Sequence, residues 1–100
     1  MKKINSSQRS YLKSLAHHYK PIINIGKVGI NEGVLKSIDI VLDSRELIKI
    51  KFNDFKQEKN QLTTKISKKL KCHIIGIIGH TVILFRKNPN TTKSKFLEMS

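Results

Sequence analysis

The sequence predicts an α/β domain: a mixed four-stranded sheet with three helices in the order α-β-α-β-α-β-β. Three observations predict it. Apolar residues recur with a helical period in three segments and with strand-like alternation or β-branched content in four others. The strand–helix–strand crossovers imply parallel pairing. The last two apolar runs are separated only by Gly79-His80, a two-residue link of the kind that closes a β-hairpin. At 100 residues the chain is one domain. It can bury roughly 60–70% of its unfolded surface without a metal or a disulfide. The folded part is expected over residues 1–88, followed by a basic, flexible tail over 89–100.

The first helix is expected from Asn5 to His18. Asn5 or Ser6 serves as its cap, with Gln8 placed for a capping box if Asn5 is the cap, and Tyr11, Leu12, Leu15 and Ala16 form its apolar stripe. Lys20-Pro21 ends it. The β-branched run Ile22 to Ile25 makes a short strand that leads into Gly26. Asn31 caps a second helix with Val34, Leu35, Ile38, Val41 and Leu42 inward, broken at Ser44-Arg45. Glu46 to Phe52 follows as a strand, with Ile48, Ile50 and Phe52 on one face and Lys49 and Lys51 on the other. After a turn at Asn53-Asp54, the third helix runs from Lys56 to Leu70 with Leu62, Ile66 and Leu70 inward. His73 to Ile78 and Thr81 to Arg86 form the closing hairpin.

Net charge is +13, and it is unevenly spread. Residues 1–31 carry +6 with no acid, residues 32–60 are neutral, and residues 61–100 carry +7. Lysine makes up 17 of the 20 basic residues in a chain also rich in Ile and Asn, a bias that AT-rich codons produce without any function, so the total is discounted. The segregation remains, because composition drift gives acids no reason to avoid both ends. A polyanionic partner follows from it. The lone cysteine, Cys72, excludes an internal disulfide and fits a reducing compartment. No apolar run approaches the ~18 residues of a membrane span, and no signal-peptide core follows Lys2 and Lys3. A cytoplasmic, monomeric protein without membrane or small-molecule partners is expected.

Gly26-Lys27-Val28-Gly29 carries the chemistry. Glycines at both ends let main-chain N–H groups approach a phosphate without Cβ obstruction, Lys27 supplies charge, and the helix beginning near Asn31 lies behind. A bare GxxG is more often an ordinary tight turn, and its place between strand and helix beside local positive charge is what favours a clamp on a nucleic-acid backbone. Lys65, Lys68 and Lys69 extend this face unless they are simply the solvated side of their helix. Lys13, Lys20 and Arg86 are further candidates, Arg86 favoured because a guanidinium fork suits phosphate. His80, expected to be exposed in the hairpin turn, either touches the nucleic acid or has no role. Phe52, Phe85 and Tyr11 lie on inward faces, with Tyr19, Phe55 and Phe96 unassigned, so stacking of bases across an open sheet is not expected.

The residues quoted so far resemble a known family. Leu15-Ala16-His17 running into Lys20-Pro21, the segment Ile25 to Leu35, Glu46 to Lys51, and Ile78 to Arg86 together resemble the bacterial YhbY proteins. These are the single-domain form of the chloroplast RNA splicing and ribosome maturation (CRM) domain. The resemblance implies an RNA-binding α/β domain, related in shape to KH domains and to the C-terminal domain of translation initiation factor three. It further implies association with precursors of the large (50S) ribosomal subunit and help in their assembly. Gly26 to Gly29 match the family's GxxG loop, and Phe85-Arg86 stands where the family often has Tyr-Arg.

Other chemistries find little support. His17-His18 and Cys72-His73 are neighbours that cannot easily turn both side chains to one ion, so neither metal nor cofactor is expected. No serine or cysteine sits in a motif that supplies a base, and Asp39 and Asp43 read as surface decoration, so no catalysis is expected. The rival readings are an adaptor that meets acidic ribosomal proteins without touching RNA, and a weak enzyme acting on RNA.

Overall fold

A computed structural model describes residues 3–88; the expected tail over 89–100, with Phe96, lies outside the described residues. The elements are α1 (Ser6–Ala16), β1 (Ile23–Ile25), α2 (Glu32–Arg45), β2 (Leu47–Phe52), α3 (Lys59–Leu70), β3 (His73–Ile78) and β4 (Thr81–Phe85). The predicted three helices and mixed four-stranded sheet are all present.

The sheet order is β1-β2-β4-β3. β1 pairs parallel with β2, placing Ile25 beside Phe52, while β4 pairs antiparallel with both β2 and β3. The second crossover therefore joins strands that run parallel but are not neighbours, because β4 inserts between them. Each face of the sheet is covered. On one side α2 and α3 pack Ile38, Leu42 and Ile66 against Ile25, Ile48, Ile50, Phe52, Val82 and Leu84. On the other, α1 packs Leu12 and Ala16 against Leu47, Ile75, Ile83 and Phe85. A buried Leu or Ile side chain stabilises by about 2 kcal/mol, so both layers contribute heavily.

Local details depart from the sequence reading, each for a physical reason. The Asn5 capping box forms, with the Gln8 N–H donating to Asn5 Oδ1 at 2.8 Å and the Asn5 N–H to Gln8 Oε1 at 3.1 Å. The stripe of α1 is narrower than expected: Leu12 and Ala16 are buried, but Tyr11 is 47% exposed because α1 touches the sheet along one ridge. α1 ends at Ala16 rather than His18. α2 runs through Ser44 and Arg45 and is stopped instead by Glu46, which turns out at φ 65°. α3 begins at Lys59, not Lys56, because Phe55 adopts φ 58° and holds the preceding residues in a turn.

Lys49 and Lys51 do point away from the α2/α3 layer, but that side is not open sheet. Lys49 reaches under the end of α1 and donates to the carbonyls of His17 at 3.3 Å and Tyr19 at 3.1 Å. A cation there meets the negative end of the helix. β3 forms one edge of the sheet and is bulged between Ile74 and Gly76. Arg9 donates to the carbonyls of Ile74 and Ile75 at this bulge. A Cβ at Gly76 would lie 2.6 Å from Lys13 Cε, so the absence of a side chain there is what lets Lys13 cross the strand.

Candidate nucleic-acid interface

Because β1 and β2 run parallel and β4 runs against them, Gly26, Asn53 and His80 emerge at one end of the sheet. The Ile25 carbonyl accepts the N–H groups of Asn53 at 3.0 Å and Asp54 at 3.1 Å, which ties the glycine loop to the β2–α3 connection. The Gly29 N–H donates to the Gly26 carbonyl at 3.0 Å, closing a four-residue turn with Lys27 and Val28 at its corners. Both corner side chains are exposed, Val28 at 72%, and the backbone N–H groups of Lys27 and Val28 make no hydrogen bond to the described residues.

The two glycines do different work. Gly29 has φ 69° and is buried, and a Cβ on it would approach the Phe55 ring to 3.2 Å. Gly26 has nothing within 4 Å of a Cβ position, so its side of the turn opens to solvent. Gly29 is therefore required by the fold, whereas Gly26 leaves a clear approach to main chain. Behind the turn, Asn31 caps α2 through a 2.9 Å bond from the Val34 N–H, and Glu32 stands in the first helical turn. That carboxylate offsets part of the positive helix end expected behind the loop.

Beside the turn lies a shallow cavity of about 490 Å³ walled by Val28, Phe55 and Leu62, with Lys65 at its margin. Phe55, unassigned from sequence, thus has a place: one side of its ring seats Gly29 and it remains 39% exposed. A non-glycine residue at positive φ costs on the order of 1 kcal/mol, and here that backbone conformation carries the ring at Gly29.

The predicted site residues do not all gather. Gly26, Lys27, Val28, Gly29, Lys65 and His80 lie at the loop end. Lys68 and Lys69 are exposed in the last turn of α3, away from the loop. Lys20 precedes β1, so it stands at the other end of the sheet, beside a mixed-charge cavity lined also by Asp43, Arg45 and Glu46. Lys13 rides on α1, over Gly76, on the opposite face of the sheet from α2 and α3.

Arg86 corrects the sequence reading. Its side chain is 16% exposed; Nη1 donates to Asp39 Oδ1 at 2.6 Å and the Leu70 carbonyl at 2.8 Å, and Nη2 to Asp43 Oδ1 at 2.9 Å and the Asp39 carbonyl at 3.0 Å. The fork that suits phosphate is spent joining β4 to the ends of α2 and α3. Asp39 and Asp43, read as decoration, are its partners, and their i, i+4 spacing opposite a strand-end arginine was the signal overlooked.

The candidate metal neighbours are also engaged otherwise. The rings of His17 and His18 meet edge to face at 5.2 Å, and His73 stacks on Phe85 at 6.3 Å. Burial pushes the Cys72 thiol up to about 11, the opposite of an activated nucleophile. Sequence reasoning also missed Lys51, Lys56 and Lys59. They belong to the stretch that is neutral in sum, yet all three act electrostatically on His80.

The site is thus an exposed glycine turn carrying one cation, set at the end of a mixed α/β sheet beside an apolar groove on a small basic domain. The chain belongs to the CRS1 / YhbY (CRM) domain family, whose model matches residues 4–86. It is 37% identical over 87 residues to "RNA-binding protein" of Haemophilus influenzae, covering 86% of this chain and 88% of that one. It is 31% identical over 86 residues to "Probable RNA-binding protein YqeI" of Bacillus subtilis, covering 85% and 90%. Among solved structures, that of the hypothetical protein SAV1595 from Staphylococcus aureus superposes with a TM-score of 0.75 at 36% identity, over 91% of this chain and 95% of that one.

Proposed function

We propose that this protein is a cytoplasmic, non-catalytic RNA-binding factor that clamps structured ribosomal RNA on large-subunit (50S) precursors and so assists their assembly. The observation that carries the RNA-binding part is the Gly26–Gly29 turn, where Lys27 and Val28 are exposed and neither their amides nor the Lys27 ammonium bond to the described residues. Unpaired amides and one cation in a turn are suited to a phosphate oxygen, and Lys65 continues the positive surface along α3. The apolar wall of Val28 and Phe55 offers an unpaired base somewhere to rest next to the gripped backbone. The relatives' names support RNA as the ligand, and the resemblance to YhbY proteins supports the ribosomal setting. A binding rather than catalytic role is favoured because Asp39 and Asp43 are consumed by Arg86 and the Cys72 thiol is buried and protonated.

Lys27→Glu tests the clamp. RNA affinity is expected to fall about tenfold, one lost phosphate contact plus a repulsion, while the thermal midpoint stays within about a degree because an exposed loop lysine adds little stability. Equal binding by the variant and the wild type would remove the loop from the interface. Sedimentation of cell extracts through a gradient, with and without ribonuclease, tests the ribosomal part. Co-migration with large-subunit precursors that survives removal of the RNA would favour the protein–protein adaptor instead.

A further inference from the structure

A second cluster at the loop end has no part in the clamp just described. His80 sits in the β3–β4 turn, and its carbonyl accepts the Phe52 N–H at 2.8 Å, so the turn is pinned to β2. Lys51 stands on β2 opposite Thr81, the residue after His80. Lys56 comes from the β2–α3 connection, and Lys59, the first residue of α3, places Nζ 3.3 Å from His80 Nδ1. We infer that Lys51, Lys56, Lys59 and His80 form a second anion seat, separate from the Gly26–Gly29 turn, that takes a further backbone phosphate of the same RNA. The inference rests on the RNA-binding reading above and adds a site to it.

The geometry sets the chemistry of the seat. An ammonium has only donors, so Nδ1 of His80 accepts from Lys59, and the neutral ring carries its proton on Nε2. Nε2–H is then a donor directed away from Lys59. Partial desolvation, then Lys59, Lys56 and Lys51, hold the imidazole below its ordinary value of 6.5. The charges acting on it come from β2, the β2–α3 connection and α3 and are all positive, while β4 contributes the uncharged Thr81. Glu58, the nearest acid in sequence to Lys59, lines the groove on the Val28 and Phe55 side. Crowded like charges are unfavourable until an anion arrives among them. A phosphate there reverses the local field and raises the affinity of His80 for a proton, so RNA binding takes up a proton at this ring. A base that titrates higher in the complex than in the free protein makes binding tighten as pH falls.

Fluorescence anisotropy with a labelled stem-loop oligoribonucleotide tests this on wild type, Lys59→Ala, Lys56→Ala, His80→Gln and Lys27→Glu, each first checked for an unchanged unfolding transition. Lys59→Ala and Lys56→Ala are expected to weaken binding about five- to tenfold and to reduce the magnitude of the salt slope by about 1. Wild-type affinity is expected to rise about three- to tenfold between about pH 7.5 and about pH 5.5, and His80→Gln to abolish most of that rise. The His80 ring signals in NMR should titrate at higher pH with the oligoribonucleotide bound than without it. If both lysine variants bind as wild type while Lys27→Glu is weakened, the second seat is wrong and the loop clamp stands. If the pH dependence survives in His80→Gln, the proton coupling is overturned. If Lys27→Glu binds as wild type while Lys59→Ala is weakened, the seat stands and the loop clamp falls; if no variant differs from wild type, both fall.

Discussion

The two ends of the sheet carry similar basic side chains and put them to opposite use. At the loop end, Lys27, Lys51, Lys56 and Lys65 are exposed and have no acidic partner among the described residues. At the far end, Arg86 is enclosed by two carboxylates and two carbonyls. The difference lies in what the topology brings alongside. α2 runs away from the loop, so its later turns carry Asp39 and Asp43 to the end of β4, where the guanidinium meets them. A cation whose donors are satisfied inside the fold contributes to stability, and one left with water and like charges is free for a polyanion.

Among single substitutions, the largest expected effect that would break this contrast is that of Arg86→Ala. Removing the guanidinium leaves Asp39, Asp43 and the Leu70 carbonyl without it, and a loss of about 2 kcal/mol is expected, discounted because both carboxylates remain partly hydrated. Urea unfolding should show it, with RNA affinity of the folded protein nearly unchanged. A variant of full stability and weakened binding would place Arg86 on the interface after all.

Next in size is the pair of glycines. Gly29→Ala must hold positive φ and press on Phe55, so a loss of about 1–2 kcal/mol is expected, while Gly26→Ala meets nothing and should change stability by less than about 0.5 kcal/mol. If RNA approaches the main chain at the turn, Gly26→Ala still lowers affinity despite its neutral fold. The unfolding midpoints and binding isotherms of the two variants decide this, and equal destabilisation would mean the turn is packed on both sides.

For the wild type, neutralising roughly four to six phosphates gives a slope of log affinity on log salt of about −3 to −5, or about two to three decades between about 50 and 200 mM. A flat titration would remove the electrostatic account of the loop end. The smallest effect concerns the far face. His73 is held below its ordinary 6.5 by partial burial, then by Arg9. Folding therefore favours its neutral form. That contribution is complete above about pH 6.5 and is lost as pH falls through the lower folded-state value. Thermal midpoints should drop slightly below about pH 6, less so in His73→Phe, and an identical drop in both proteins would assign it to other groups.

Much of this was legible from local patterns. The Asn5–Gln8 capping box, the Asn31 cap, the Ile48–Ile50–Phe52 face and the Gly79-His80 hairpin each involve residues a few positions apart, so their geometry follows from chain periodicity and turn chemistry. The reading failed where partners are distant in sequence. Arg86 looked free because Asp39 lies 47 residues away, and Lys59 was not singled out because His80 lies 21 residues away. Block charges misled for the same reason: the stretch that sums to zero supplies both the acids around Arg86 and the lysines around His80.

By itself, then, the amino-acid order determined the succession of helices and strands, the apolar faces they bury, the family to which the chain belongs and the glycine turn with Lys27 at its tip. Only the tertiary structure decided which charges are spent internally, which remain open, and that Phe55 seats Gly29. The physical reason is range. Backbone preference and amphipathic period act within a few residues, whereas the partner of a charge depends on which chain ends the sheet topology brings together.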